Sequence, residues 1–268
     1  MGIWGERPTS RRRQRADDPA MDGGAVARPV PTGLPTRYRL GTVVGRGGSA
    51  TVWSARDTRT GRDVVVKVVD GTRLPVDRFD AEVRALGRLV GEPGVVEVQA
   101  VGVASDGHPW LVEELVPGPS LADRLRTAPW TADLVARLVR DVAGALAAAH
   151  SAGVVHGDVA PANVLRRADG AFVLCDFGVA VLGGAAGPAP CTPSFAAPER
   201  RAGGPPTPAG DVYGLAVLAW FAATGGLPDD APRAPEGLSR RLGAALVRAL
   251  DPAPRRRPPA AVLARCAR

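Results

Sequence analysis

The stretch HGDVAPANVLRRADGAFVLCDFG, His156 to Gly178, decides how the rest of the chain is read. It carries His156, Asp158, Asn163 and Asp176, with apolar runs between them. Four residues separate Asp158 from Asn163, and Asp176 heads the tripeptide Asp176-Phe177-Gly178. Carboxylate and amide oxygens on loops between short strands suit two jobs. One carboxylate orients a hydroxyl nucleophile, while an amide and a second carboxylate hold Mg²⁺ against nucleotide phosphates. An Asp-Phe-Gly tripeptide alone recurs by chance, so the other parts have to appear elsewhere and in order.

Working back toward the N-terminus, Val64–Val69 is a β-branched run with one cation inside it, Lys67. It is the only lysine among 34 basic residues. An ammonium in a buried strand needs a partner. Phe79, Val83, Leu86 and Val90 recur at helical spacing, with Glu82 beside that face. Before this strand, two strand-like runs, Tyr38–Val44 and Thr51–Trp53, flank a glycine-rich turn of Gly45, Arg46, Gly47, Gly48, Ser49 and Ala50. Glycines in such a turn let backbone amides approach phosphates closely. Val95–Ala104 and Pro109–Glu114 complete five strands, and an Asp106-Gly107 turn joins the last two. After them the pattern is helical. Ser120 caps a short helix through Arg126. Thr131 caps a long one, with Leu134, Leu138, Val142, Ala145 and Ala149 on one face and Gly153 at its end.

In this order the landmarks resemble the eukaryotic-type (Hanks-type) serine/threonine protein kinases, a family also found in bacteria, over about residues 37 to 268. The resemblance implies a two-lobed α+β fold, with a five-stranded N-lobe and its αC helix at 37–114, a hinge at 114–118 and a helical C-lobe at 119–268. It implies ATP and Mg²⁺ as cofactors, and phosphoryl transfer to Ser or Thr of proteins. Asp158 becomes the catalytic residue, and Asn163 and Asp176 the metal ligands. Nucleotide contacts fall to Gly45, Arg46, Gly47, Gly48, Val52, Val65, Lys67, Glu82, Glu114 and Val116, with Lys67 and Glu82 paired. The resemblance makes His156 a scaffold residue, pairs Glu199 with Arg257, and sets Asp211 at the start of a buried central helix. An ordinary helix N-cap is the other reading of Asp211.

Several residues depart from the family pattern. Ala50 replaces the third glycine of the loop, Val65 a usual Ala, and Cys191 the first Gly of the CTPSFAAPE segment. Glu113 occupies the gatekeeper position, where it is expected to compete with Glu82 for Lys67. Gly157 stands where regulated members have Arg, and no Ser, Thr or Tyr lies between Val179 and Pro190. Together these imply activity without a phosphorylation switch in that segment. Ala160 replaces a lysine that neutralises charge on the moving phosphoryl group, a loss of about 2–4 kcal/mol of transition-state stabilisation. A second reading follows: a pseudokinase acting as a nucleotide-binding or protein-interaction module. A third, small-molecule phosphotransfer, fits Thr192–Glu199 less well. The Pro-rich Gly225–Gly237 stretch leaves little room for the family's substrate-docking helix, before a helix at Leu238–Leu250.

Composition narrows the classes. Hydrophobic residues make up 45% and charged residues 23%, as in soluble globular chains. No run reaches 18 apolar residues, and Val212–Thr224 suits a buried helix rather than a membrane span. There is no apolar h-region of a signal peptide, and Glu6 spoils a myristoylation pattern at Gly2. Cys175, Cys191 and Cys266 lack metal spacing and read as reduced thiols of a cytoplasmic protein. The net charge of +7 comes with arginines spread along the chain, clustered at 11–15 and 255–257. No nucleic-acid-binding module accompanies them, so no nucleic-acid partner is expected. Residues 1–36, rich in Arg, Pro, Gly and Asp, read as a disordered leader, with Met21 a second candidate start.

Overall fold

The structure, a computed structural model, describes residues 34–46, 50–69, 80, 83–84, 87–118, 120–125, 130–177 and 191–268. Gly47, Gly48, Phe79, Glu82, Leu86, Arg126, the side chain of Arg46, the stretch 178–190 and the leader to residue 33 lie outside the described residues. Pro31–Arg268 forms one compact unit.

Strands β1 (Tyr38–Arg46), β2 (Ala50–Asp57), β3 (Asp63–Val69), β4 (Val98–Val103) and β5 (Pro109–Glu114) form one antiparallel sheet in the order β1-β2-β3-β5-β4. Strand periodicity sorts β3 into two faces. Val64, Val66 and Val68 enter a core with Tyr38, Ala55, Trp110 and Val112. Lys67 and Val65 therefore point the other way, toward the second lobe. Leu34, within the stretch read as leader, already packs on this core. Close by, Arg37 donates to Asp57 at 2.8 and 2.6 Å, tying the start of the lobe to the β2–β3 turn.

The second lobe is built on two helices, α2 (Ala132–Ser151) and α4 (Pro208–Thr224). Thr131 caps α2 as its sequence predicts, accepting from Leu134 N–H. The face of α2 is broader than expected and adds Val135, Val139, Ala143 and Leu146. Helix α4 is apolar on every side because it is packed on every side. It starts under a Thr207 cap and stops at Gly225, whose φ is +76°. Around them lie α1 (Leu121–Arg124), α3 (Pro198–Arg201), α5 (Arg240–Ala249), α6 (Ala260–Cys266) and the small β6–β7 ladder (Val164–Arg166, Phe172–Leu174). Between Thr224 and Arg240, all described, the chain forms no helix, in line with the short Pro-rich stretch.

Four local expectations are corrected. The Ser120 hydroxyl donates to Asp123 at 2.9 Å instead of capping the backbone, and the helix it precedes ends at Arg124. The N-cap of the central helix is Thr207, so Asp211 lies inside its first turn. Val90 is not on a helical face but in a turn, 65% exposed. The strand expected at Val95–Ala104 begins at Val98, because Val95 pairs instead with Leu174 of β7. That pairing joins the lobes: Leu174 N–H donates to Gly94 and Val96 N–H donates to Leu174, both at 2.9 Å.

Candidate functional site

The peptide from Val154 to Asn163 reaches the inter-lobe face because α4 anchors it from below. Asp211, 2% exposed, points its carboxylate at that peptide and accepts from His156 N–H at 2.9 Å and Gly157 N–H at 2.7 Å. His150 at the end of α2 donates Nε2–H to the same carboxylate at 2.8 Å. Gly157 has φ of +81°, the left-handed region that favours glycine. The ring of His156 is fully buried, edge-on to Phe177 with centroids 4.7 Å apart. Its Nδ1 accepts from Asp158 N–H at 3.2 Å, so Nε2 carries the proton donated to Cys175 O at 3.1 Å. His156 thus braces two segments, and its ring nitrogens are occupied by backbone.

Asp158 is held from two sides. Asn163 Nδ2 donates to its carbonyl at 2.9 Å and to its Oδ2 at 3.1 Å. Thr192 donates through N–H to Oδ1 at 2.8 Å and through its hydroxyl to Oδ2 at 3.3 Å. Because the amide nitrogen of Asn163 is committed to Asp158, its Oδ1 remains to accept or ligate. Asp176 has φ of +62°, rare for a residue with a Cβ and concentrated at functional sites. Its carboxylate pairs with Lys67 Nζ, across 109 residues of chain. Lys67 thus pairs with Asp176 and Asn163 with Asp158, and Cys175 N–H, donating to Asn163 O at 3.0 Å, ties the two pairs together through the backbone.

The upper wall is set by register. Val52 and Leu111 face Lys67 across the two adjoining ladders, and Val65 faces Glu113. The Glu113 carboxylate therefore shares a face with Lys67. Burial pushes the Cys175 thiol far up, and the carboxylates of Glu113 and Asp176 add to the rise. Val116 is buried with Val96 and Val173. Glu114 spends its side chain on the back of the hinge, where Oε1 accepts from Glu97 N–H at 3.0 Å and pairs with Arg167. Arg167 also donates to Pro93 O at 2.8 Å. Ala160 is 1% exposed, so its position presents no cation to the cleft.

Further down, Arg257 grips Glu199 through two bonds of 2.6 and 2.8 Å and lies over the Tyr213 ring. Burial acts to raise the Glu199 pKa, but the Arg257 bonds, a backbone bond and the guanidinium charge outweigh it and hold it lowered. Sequence reasoning missed three contacts: Thr192 on Asp158, His150 on Asp211, and the Arg167 tie behind the hinge. Each joins residues 34 to 61 positions apart, with no local spacing to betray it.

A fit for Mg²⁺ and nucleotide can be judged from the donors. Asn163 and Asp176 each carry a side-chain oxygen, and Asp176 pairs with Lys67. No cluster of three or more His, Cys, Asp or Glu suited to a metal exists among the described residues. Two protein oxygens, completed by phosphates and water, are what Mg²⁺ prefers over a full protein cage. The residues fit the group.

The protein kinase domain family matches residues 38–241. Serine/threonine-protein kinase PknK of Mycobacterium tuberculosis is 39% identical over 191 residues, covering 68% of this chain and 17% of that protein. PknL of the same organism, also named a serine/threonine-protein kinase, is 37% identical over 227 residues, covering 81% of this chain and 56% of that protein. Serine/threonine-protein kinase PknA is 36% identical over 209 residues, with 73% and 48% covered. The chain thus spans from under a fifth to just over half the length of these relatives.

Proposed function

Because the chain belongs to the protein kinase domain family, we propose that it transfers a phosphoryl group from ATP, with Mg²⁺, to Ser or Thr hydroxyls of proteins. The observation that carries this is the Lys67–Asp176 pair, joined through the Cys175–Asn163 backbone bond to the Asp158–Asn163 pair. The relatives, all named serine/threonine-protein kinases, support the Ser/Thr class. The transferring domain is taken as 37–268.

Asp158, steadied by Asn163 and Thr192, would orient the acceptor hydroxyl and take its proton as that oxygen bonds to the γ-phosphorus and the bond to the β,γ-bridging oxygen breaks, releasing ADP. Asn163 Oδ1 and the Asp176 carboxylate would hold the metal, which would neutralise phosphate charge. Lys67 would exchange Asp176 for phosphate oxygens, with Glu82 its proposed partner on the other side. Gly45, Arg46, Gly47 and Gly48 are the proposed source of backbone amides for the phosphates. Val52 and Val65 would enclose the base, and the hinge backbone at Glu114 and Val116 would bond it. With Gly157 for Arg and no hydroxyl side chain from Val179 to Pro190, the activity is proposed to run without a phosphorylation switch in that segment. No helix among the described residues is long and apolar enough to cross a membrane. A cytoplasmic setting is proposed from the three free thiols.

Ala160 favours a second reading, a pseudokinase that binds nucleotide without transferring it. One experiment separates them: radiolabelled ATP with Mg²⁺ and a generic protein substrate, run with wild type and Asp158→Asn, before and after phosphatase. The proposal expects label transfer by wild type only, unchanged by phosphatase. A rise in melting temperature with ATP but no label in either protein would establish the second reading instead.

A further inference from the structure

The net charge is distributed differently from the arginines. From Ser239 to Arg268 there are eight arginines and one acid, Asp251, whereas all earlier residues together hold 26 basic and 26 acidic side chains. The fold gathers part of this excess on one face. Helix α5 buries Leu242, Gly243, Leu246 and Ala249 and turns Arg240, Arg241 and Arg248 to solvent, with no acid along its length. Arg248 Nε donates to the carbonyl of Arg256 at 3.0 Å. This brings the 3₁₀ turn Pro254–Arg256, with exposed Arg255 and Arg256, against the end of the same face. Asp251 is committed already: Oδ1 accepts from Ala253 N–H at 2.8 Å, and Oδ2 lies 3.9 Å from Arg256. Arg257, next in sequence, is buried on Glu199 and takes no part.

Resting on the transfer activity above, we propose that this face docks an acidic, Asp- and Glu-rich stretch of the polypeptide substrate. Guanidinium forks match carboxylates in pairs, and five of them with one shared counter-charge raise the local concentration of an acidic partner. Arg240 to Arg248 spans about 12 Å of helix, a length covered by roughly four residues of extended peptide. Two other polyanions fit less well. Residues 239–268 contain no aromatic side chain on which bases could stack. Among the described residues the exposed large hydrophobics are Val44, Val90, Val101, Val103 and Leu227, all outside this face, so it offers no apolar anchor for a lipid surface.

The test uses the full chain, with Arg11, Arg12, Arg13 and Arg15 changed to Ser in every protein compared, so that the leader cannot substitute. A fluorescein-labelled alternating Asp-Glu peptide is titrated by anisotropy. Binding is expected to weaken as salt rises, and to fall about tenfold in Arg240→Glu/Arg241→Glu/Arg248→Glu. A second variant, Arg240→Gln/Arg241→Gln/Arg255→Gln, spares the Arg248–Arg256 bond and is expected to lose binding while melting like the parent. With a peptide substrate carrying an acidic tail, the same variants should raise KM and leave kcat alone, and the untailed peptide should be unaffected. Binding needs no catalysis, so an inactive protein that still binds the peptide at this face would sink the activity and not the docking site. Unchanged peptide binding in both variants would overturn the proposal. So would tighter binding to polyuridylate or to phosphatidylserine vesicles than to the peptide.

Discussion

Asp176 sits in backbone space that suits glycine, and the fold fixes it there because both neighbours are buried or bonded. Phe177 packs under His156, and the Cys175 carbonyl accepts from the His156 ring. The same enclosure governs the Cys175 thiol. Burial comes first and the Glu113 and Asp176 carboxylates second, and all three disfavour the thiolate, which is the reactive form. Cys175 is therefore expected to stay unmodified by iodoacetamide at about pH 8 in the folded protein, and to react after denaturation. Peptide mapping by mass spectrometry checks this, and rapid labelling of native Cys175 would show its thiolate to be accessible. At this scale the sequence was most legible where chemistry is scarce. A lone lysine within a valine run, and an Asp and an Asn with four residues between them, have few structural uses, and each finds its expected neighbour. Thr192 was less so, because a threonine in a Pro-rich stretch has many uses and its contact with Asp158 spans 34 residues.

Among the elements, α4 decides where the catalytic peptide lies. It approaches closely only because residue 214 is glycine: a Cβ there would meet Val159 O at 3.0 Å and Phe195 O at 3.3 Å. Three residues earlier, Asp211 supplies acceptors for two backbone N–H groups and the His150 ring. Asp211→Ala removes them together and leaves buried donors without partners, a cost of about 3 kcal/mol. The expected result is a melting temperature lower by several degrees and a fall in kcat, with KM for ATP changed less, since Lys67 and β3 lie in the other lobe. A variant that melts like wild type and turns over normally would remove Asp211 from this supporting role. Long elements with strong periodicity, α2 and the five strands, were readable because burial on one face enforces the repeat. Short ones were not. Ser120 looks like a cap by identity, yet its hydroxyl goes to Asp123, since a single-turn helix gains little from a cap that a nearby carboxylate can outbid.

Across the molecule, the lobes meet through the hinge and through β7, which binds the Gly94–Val96 backbone, while Arg167 reaches Glu114 and Pro93. A Cβ at Gly94 would lie 2.8 Å from that of Ala145, so this junction is also packed against α2. The end of the cleft segment is tied to the C-terminal region by Glu199 and Arg257, whose guanidinium also bonds the carbonyls of Asp251, Pro252 and Ala209. Because Glu199 titrates below its usual range in the folded protein, it contributes stability that is complete above its unfolded pKa. That contribution is lost as pH falls through the lower, folded value. Glu199→Gln, which leaves a buried guanidinium without its counter-charge, is expected to cost about 2–3 kcal/mol at neutral pH. The gap between variant and wild type should then close as the buffer is taken down through the carboxylate range, because acid protonates the wild-type partner too. Melting temperatures of both proteins across that range decide it: a gap that stays constant with pH would mean that the pair acts through shape alone, and no gap at any pH would mean that the fold does not depend on it.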